Sequence, residues 1–253
     1  MTLSDFSSHL EKAARLILHA THTTAFTGAG ISVESGIPPF RGREGLWSRY
    51  DPGCLDLDAF YRDPTQTWTL IKEIFYDFFG RAKPNPGHIS LAEMEKAGYL
   101  QAVITQNIDS LHHQAGSRNI IEFHGTSGRL KCTRCGKVIP FEPSYLKQLP
   151  PLCRSCGGIL KPDFIFFGEA IPYKAYDASI EEARIADVFL IIGTTGEVVP
   201  ASSVPWQAKT HGAAIIEINP EPSAYTHAIT DIYLQGKAGE ILPDLIQSIE
   251  VIS

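Results

Sequence analysis

Apolar residues recur at helical spacing near the start of the chain, at Leu10, Ala13, Ala14, Ile17 and Leu18, and predict an amphipathic helix from Leu3 to Ala20 with Ser4 as its cap. Short apolar runs of strand length then appear at Thr23–Thr27, Ala102–Ile104, Ile120–Phe123, Asp163–Phe167, Val188–Ile192, Ala213–Ile218 and Ile232–Leu234. Helical stretches separate them: around Leu57–Tyr61, Thr65–Phe79, Pro86 to a Gly98 cap, Ala175–Ala186 with Glu181 and Glu182 outward, and a closing helix to about Glu250. Continuous apolar strands alternating with helices predict an α/β fold whose parallel sheet is covered on both faces. Two stretches break the alternation. Arg43 to Pro86 reads as a helical insertion, its aromatics used for packing, and Gly128 to Lys161 is proline-containing with little periodicity.

The strands end in small or polar residues, and in open α/β sheets ligands bind outside those ends. The richest is Thr105-Gln106-Asn107-Ile108-Asp109, three polar side chains unsuited to a core, followed by a second strand tipped with His124-Gly125. Asp109 also reads as an N-cap for the next helix, which explains one of the three and not the set. Thr27 runs into Gly28-Ala29-Gly30-Ile31-Ser32, the beginning of a phosphate-binding turn. The next glycine is Gly36, too distant for the usual dinucleotide fingerprint, so the turn alone decides little. Two prolines exclude a regular helix from Glu34 to Gly42 and place Phe40 and Arg41 on a loop beside that turn, where one could cover a flat ring and the other meet charge. A lone histidine is ordinarily a satisfied core residue, but His124 at a strand end near Gln-Asn-x-Asp suits a general base, because imidazole titrates near neutrality. Of His112 and His113, one is expected toward the sheet and one toward solvent. His9, His19 and His22 receive no role, and Cys54 reads as a small buried or half-buried thiol.

Composition narrows the class without naming it. With 253 residues, 43% hydrophobic and 20% charged, the chain can bury a sizeable core without disulfides. A net charge of −6 supplies no global field for nucleic acid. No segment reaches the roughly 20 apolar residues of a membrane span, and the polar, acidic start is unlike a secretory leader, so a cytoplasmic protein is expected. Four of five cysteines form Cys132-x2-Cys135 and Cys153-x2-Cys156, seventeen residues apart, a spacing that fits a structural zinc with four thiolate ligands. A redox pair is the alternative, and neither pair opens a helix in the context such a pair requires.

These motifs, in order, resemble the sirtuins of bacterial and archaeal type, NAD-dependent protein lysine deacylases. The resemblance rests on G-A-G-I-S at Gly28–Ser32, E-S-G-I-P-x-F-R-G at Glu34–Gly42, T-Q-N-I-D-x-L-H at Thr105–His112, H-G at His124, the four cysteines, F-F-G-E at Phe166–Glu169, the G-T-T turn, Asn219 and the G-K-A-G-E end. It implies a Rossmann-like NAD-binding domain from 1–42, 87–127 and 162–253. A helical module, 43–86, and a zinc module, 128–161, would form a small domain. It further implies NAD contacts from Gly28, Ala29, Gly30, Ser32, Val33, Phe40, Arg41, Gln106, Asn107, Ile108, Asp109, His124, Gly193, Thr194, Thr195, Asn219, Pro220, Glu221 and Ala238. Asn107, Ile108 and Asp109 would line the pocket for nicotinamide and its ribose. Catalysis would fall to His124 and Asn107, and zinc to Cys132, Cys135, Cys153 and Cys156. Ile165, Phe167 and Val198 would form an acyl-lysine tunnel, while Gly168–Glu169 and Glu197–Pro200 would pair with the substrate backbone. The implied reaction consumes NAD, with His124 as base on the ribose hydroxyls, and yields nicotinamide, free lysine and 2′-O-acyl-ADP-ribose. A mono-ADP-ribosyltransferase and a non-catalytic NAD or ADP-ribose sensor are the rivals. The desuccinylating subfamily's Tyr-x-x-Arg pair has Ile71 and Ile74 as its expected counterparts here, which favours acetyl or longer neutral acyl groups. Pro39 and Gly196 depart from common family residues, and Gly196 is expected to widen or loosen the tunnel mouth. The expected partner is an acyl-lysine protein or peptide, and the expected state is a monomer.

Overall fold

The computed structural model describes residues 3–40 and 45–253. Arg41 and the Ser4 side chain, both given roles above, fall outside what is described.

The opening helix α1 (Leu3–His19) leads into β1 (Thr23–Thr27), all five residues of which are buried. A 3-10 helix at Ala29–Ser35 follows, then α2 (Leu57–Arg62), α3 (Pro64–Ile71) and α4 (Pro86–Ala97). Asn85 caps α4 by accepting from the Gly87 and His88 backbone, and Gly98 ends it in the left-handed region. Next come β2 (Ala102–Thr105), the short α5 (Leu111–Ala115) and β3 (Ile120–Glu122). Strands β4 (Gly125–Cys132), β5 (Val138–Pro140) and β6 (Leu160–Phe164) belong to a separate antiparallel sheet. The chain closes with α6 (Tyr173–Ile185), β7 (Val188–Ile192), α7 (Val204–Thr210), β8 (Ala214–Asn219), β9 (Ile232–Gln235) and α8 (Ala238–Ile252).

The six-stranded sheet has the order β3-β2-β1-β7-β8-β9, every pair parallel. The order reverses between β1 and β7, and a parallel sheet of this kind opens a crevice at that switch point. Each face is covered, as the apolar strands require. Ala25, Leu190 and Ile216 pack under α1, α4 and α8, while Phe26, Phe189 and Ile215 pack under α6 and α7.

Sequence reading returned Asp163–Phe167 to this sheet, and the structure corrects that. Leu160–Phe164 pairs antiparallel with β4, Cys132 opposite Leu160 and Gly125 opposite Phe164. A short apolar run carries no mark of which sheet will take it. The three-stranded sheet thus begins at Gly125 and ends at Phe164, beyond the stretch expected to hold the cysteines.

The helical insertion and the cysteine segment share one core. Trp68, Ile71, Ile74 and Phe75 pack with Leu130, Cys132, Cys153 and Leu160. The Trp68 indole donates to the Leu160 carbonyl at 2.8 Å, and Tyr76 stacks on Phe141 with centroids 4.1 Å apart. The expected single helix over Thr65–Phe79 instead turns into a π-helix at Lys72–Phe78, a wider winding that alters which side chains face inward. Two smaller expectations change as well. Glu182 does not face outward, because its carboxylate meets His22 at 2.7 Å and the Thr24 hydroxyl at 3.0 Å. His22 thereby has a partner.

Candidate functional site

A cavity of about 950 Å³ opens at the β1/β7 switch point. It runs from the strand ends of the parallel sheet to the apolar wall of the shared core. That volume is at the upper end for small-molecule sites, which span about 300–1,000 Å³.

Two turns form its floor, and they touch backbone to backbone. The Gly30 amide donates to the Gly193 carbonyl at 2.8 Å, and a Cβ on Gly30 would stand 2.6 Å from the Gly193 Cα. No side chain fits between them, so the glycines are set by close approach. Gly28, Ala29, Gly30, Val33, Gly193, Thr194 and Thr195 all reach the cavity from these turns.

The tip of β2 supplies the polar wall. Gln106, Asn107 and Ile108 face the cavity. Asn107, buried, donates to the Gly28 carbonyl at 3.0 Å and to Ser32 Oγ at 3.2 Å, which locks its carboxamide against the glycine turn. Gln106 Nε2 donates to Thr194 Oγ1 at 3.1 Å. Ser32 and Asp109 stand behind this wall and do not line it. Ser32 donates to Asp109 Oδ2 at 2.7 Å, while Asp109 Oδ1 accepts from the Leu111 amide at 2.9 Å. Burial pushes the Asp109 carboxyl up, and these two hydrogen bonds pull it back. Asp109 is not the N-cap expected of it: Ser110 takes the cap position with φ 61°, and Asp109 accepts the Leu111 amide from one residue earlier. His112 is buried, bonded to Thr27 Oγ1 at 2.9 Å, and His113 is exposed beside Glu122, as expected of the pair.

His124 lies on the cavity at the end of β3. Its Nδ1 is 3.0 Å from the Gln106 carbonyl, an acceptor only, so Nδ1 carries the proton and Nε2 keeps its lone pair. Burial lowers the imidazole pKa below its usual 6.5, opposed by that hydrogen bond. An imidazole held this way, lining the cavity, has the chemistry to accept a proton at Nε2.

From β8 come Asn219, Pro220 and Glu221, and from the helical side Phe40, with Trp47 at 5.5 Å between ring centroids. Ala238, expected at the site, is buried at the start of α8 and is not in the wall. Ile165, Phe167, Gly168, Glu169 and Val198 line the other end. Sequence reasoning missed Trp47, Leu55, Phe75, Phe164 and Phe166, which complete the apolar wall. Ile71 and Ile74, the expected readers of the acyl end, are buried in the shared core and do not reach the cavity; the π-helical turn presents Phe75 instead. No Lys or Arg is among the described lining residues. Gly196 also lies off the wall, against the Tyr225 ring, so it does not widen the mouth.

The four cysteine sulfurs lie within 4.8 Å of one another. Cys132 and Cys156 Sγ are 3.4 Å apart and Cys135 and Cys153 Sγ 3.9 Å. Tetrahedral thiolates at about 2.3 Å from zinc would be about 3.8 Å apart, so the set fits a closed, structural ion. Backbone amides of Cys135 and Arg134 point at Cys132 Sγ from 3.5 and 3.4 Å and hold its thiol down at about 6, in the direction of a ligand.

Fold and site together define a Rossmann-like ligand-binding protein with a four-cysteine metal module. The Sir2 family profile matches residues 28–200, and the chain belongs to the Sir2 family. An NAD-dependent protein deacylase 2 from Pyrobaculum aerophilum is 47% identical over 241 residues, covering 94% of either chain. A Sir2 homologue solved as an NAD complex is 40% identical with a TM-score of 0.88, over 96% of this chain and 94% of that one. A Sir2 structure with a p53 peptide and NAD+ is 32% identical with a TM-score of 0.85, over 100% of each. Among the described residues, no helix is long and apolar enough to cross a membrane.

Proposed function

We propose that the protein is an NAD-dependent protein lysine deacylase acting on acetyl or longer neutral acyl groups, and that it releases nicotinamide, 2′-O-acyl-ADP-ribose and free lysine. The observation that carries this reading is one cavity with carboxamides and an Nδ1-protonated imidazole at one end and a largely apolar, aromatic wall at the other. When bound, NAD supplies an electrophilic ribose carbon and a good leaving group. The glycine turns, Thr194, Thr195 and Asn219 would hold its phosphates and adenosine. Asn107 and Ile108 would orient its nicotinamide, with Asp109 supporting them from behind through Ser32 and the Leu111 amide. His124 Nε2 would accept a ribose hydroxyl proton, while Nδ1–H on Gln106 fixes the ring. Ile165, Phe167 and Val198 would enclose the lysine stem, and the main chain at Gly168–Glu169 and Glu197–Pro200 would add the peptide as a strand.

The four thiolates would hold one structural zinc, leaving no open position for chemistry. We read 1–42, 87–127 and 162–253 as the NAD-binding domain, with 43–86 and 128–161 as the small domain, whose core also takes in Ile37, Ile108, Leu111, Phe164 and Phe166 from the first. A monomeric, cytoplasmic enzyme acting on acyl-lysine proteins is the accompanying expectation.

A peptide panel tests the reading. With NAD, acetyl, butyryl and myristoyl peptides should release nicotinamide and acyl-ADP-ribose, and a succinyl peptide should be turned over far more slowly, because no Lys or Arg among the described lining residues faces a carboxylate. Modified protein without deacylation would instead establish an ADP-ribosyltransferase. Binding of ADP-ribose without any turnover would establish a sensor.

A further inference from the structure

Glu217 has no exposed surface although it sits in the middle of β8. Charged side chains are almost never fully buried unless partnered. No Lys, Arg or His among the described residues forms an ion pair with it. Its partners are instead hydroxyl and amide donors that all come from the segment 219–230. Oε1 accepts from Asn219 Nδ2 at 2.9 Å, Ser223 Oγ at 2.6 Å and Thr226 Oγ1 at 3.0 Å. Oε2 accepts from Thr230 Oγ1 at 2.8 Å. Four donors, three on Oε1 and one on Oε2, surround a group that as a carboxylate can only accept.

The donors belong to the loop that carries one wall of the cavity. Asn219, Pro220, Glu221 and Ser223 line it, whereas Glu217 does not. The second Asn219 amide contact runs to the Thr194 carbonyl at 3.2 Å, and Thr194 Oγ1 takes the Gln106 amide at 3.1 Å. Hydrogen bonds thus run from Glu217 across the tips of β8, β7 and β2.

We propose that Glu217 is a positioning residue for the dinucleotide: it fixes Asn219 and the 219–223 wall in their binding conformation before the ligand arrives. It touches neither NAD nor acyl-lysine and acts only by preorganising groups that do. The proposal rests on the NAD reading above.

Glu217→Gln keeps the side chain's size and turns one acceptor oxygen into a donor facing donors. It should raise KM for NAD and Kd for ADP-ribose on the order of tenfold, the effect of losing one hydrogen bond to charge. Turnover at saturating NAD and KM for the acetyl peptide should stay within about twofold, a split that mere loss of stability would not produce. Thr230→Val removes a donor outside the cavity wall and should show the same split at smaller size; it decides the matter if Glu217→Gln does not fold. Unchanged ADP-ribose affinity in the folded variants, or a fall in turnover with KM for NAD unmoved, would overturn the proposal. Failure of the wild-type protein to bind ADP-ribose would overturn the NAD reading, and the proposal with it.

Discussion

His124 directs Nδ1 at the main-chain carbonyl of Gln106, 3.0 Å away, so the residue whose carboxamide lines the cavity also holds the imidazole. One strand tip therefore sets both a cavity-lining amide and the tautomer of the imidazole.

A pH dependence follows. Burial lowers the His124 pKa from its usual 6.5, so the neutral form persists to lower pH than for a solvated histidine. The acid limb of kcat/KM should fall below 6.5, with activity rising through it as the ring loses its proton. His124→Ala should reduce turnover by about 10²–10⁴-fold. A limb at or above the ordinary imidazole value, or full activity without the ring, would remove His124 from the chemistry.

Metal removal should act through packing. Cys132 and Cys153 are part of the core that also holds Trp68, Phe75 and Phe164, and the last two line the cavity. Chelation, or Cys132→Ser, should release one zinc per chain, lower the melting temperature and abolish turnover together. Verified zinc-free protein with full activity and unchanged melting would show the ion to be dispensable.

How far the sequence reveals this site depends on which residues carry the information locally. Strand ends at Gly28, Gln106, His124, Gly193 and Asn219 are legible because small and polar residues interrupt apolar runs. All five reach one cavity. Cysteine spacing is equally local, and the four sulfurs do meet. The pairing of Leu160–Phe164 was not legible, since an apolar run of five residues suits either sheet. Nor was the acyl wall: Phe75 faces the cavity through a π-helical turn that the 3.6-residue period does not encode, and Ile71 and Ile74 go to the core. Glu217 was invisible because three of its four partners, Ser223, Thr226 and Thr230, lie in a loop with no repeating pattern.

Lys161 should matter to the peptide rather than to the dinucleotide. It is nearly buried, its ammonium 3.0 Å from Glu169 Oε2 and 2.7 Å from the Phe164 carbonyl, and 4.1 Å from the centroid of Phe166. Glu169 Oε2 in turn accepts from the Phe166 amide at 3.0 Å, which closes the loop proposed to receive substrate. Lys161→Met should cost about 1.5–3 kcal/mol, the value of a hydrogen bond to charge, and raise KM for the acyl peptide more than KM for NAD. Equal changes in both constants would argue for a general loss of structure.

Gly196 gives the sharpest contrast between a sequence expectation and the structure. A glycine where relatives of the resembled family often place leucine suggests a wider tunnel, and then Gly196→Leu would shorten the preferred acyl chain in an otherwise stable protein. The structure predicts otherwise. Gly196 has φ 76°, and a Cβ there would stand 2.7 Å from Tyr225 Cε2. Tyr225 cannot readily give way, since it is fully buried and donates to the Ser202 carbonyl at 3.0 Å. Left-handed backbone at a non-glycine residue costs about 1–3 kcal/mol, and overpacking against the ring adds about 1–3 kcal/mol more. Both Gly196→Ala and Gly196→Leu should therefore lower the urea midpoint, leucine more than alanine. The ratio of butyryl to acetyl turnover should stay near wild type in any protein that folds. A shifted ratio at unchanged stability would return Gly196 to the tunnel.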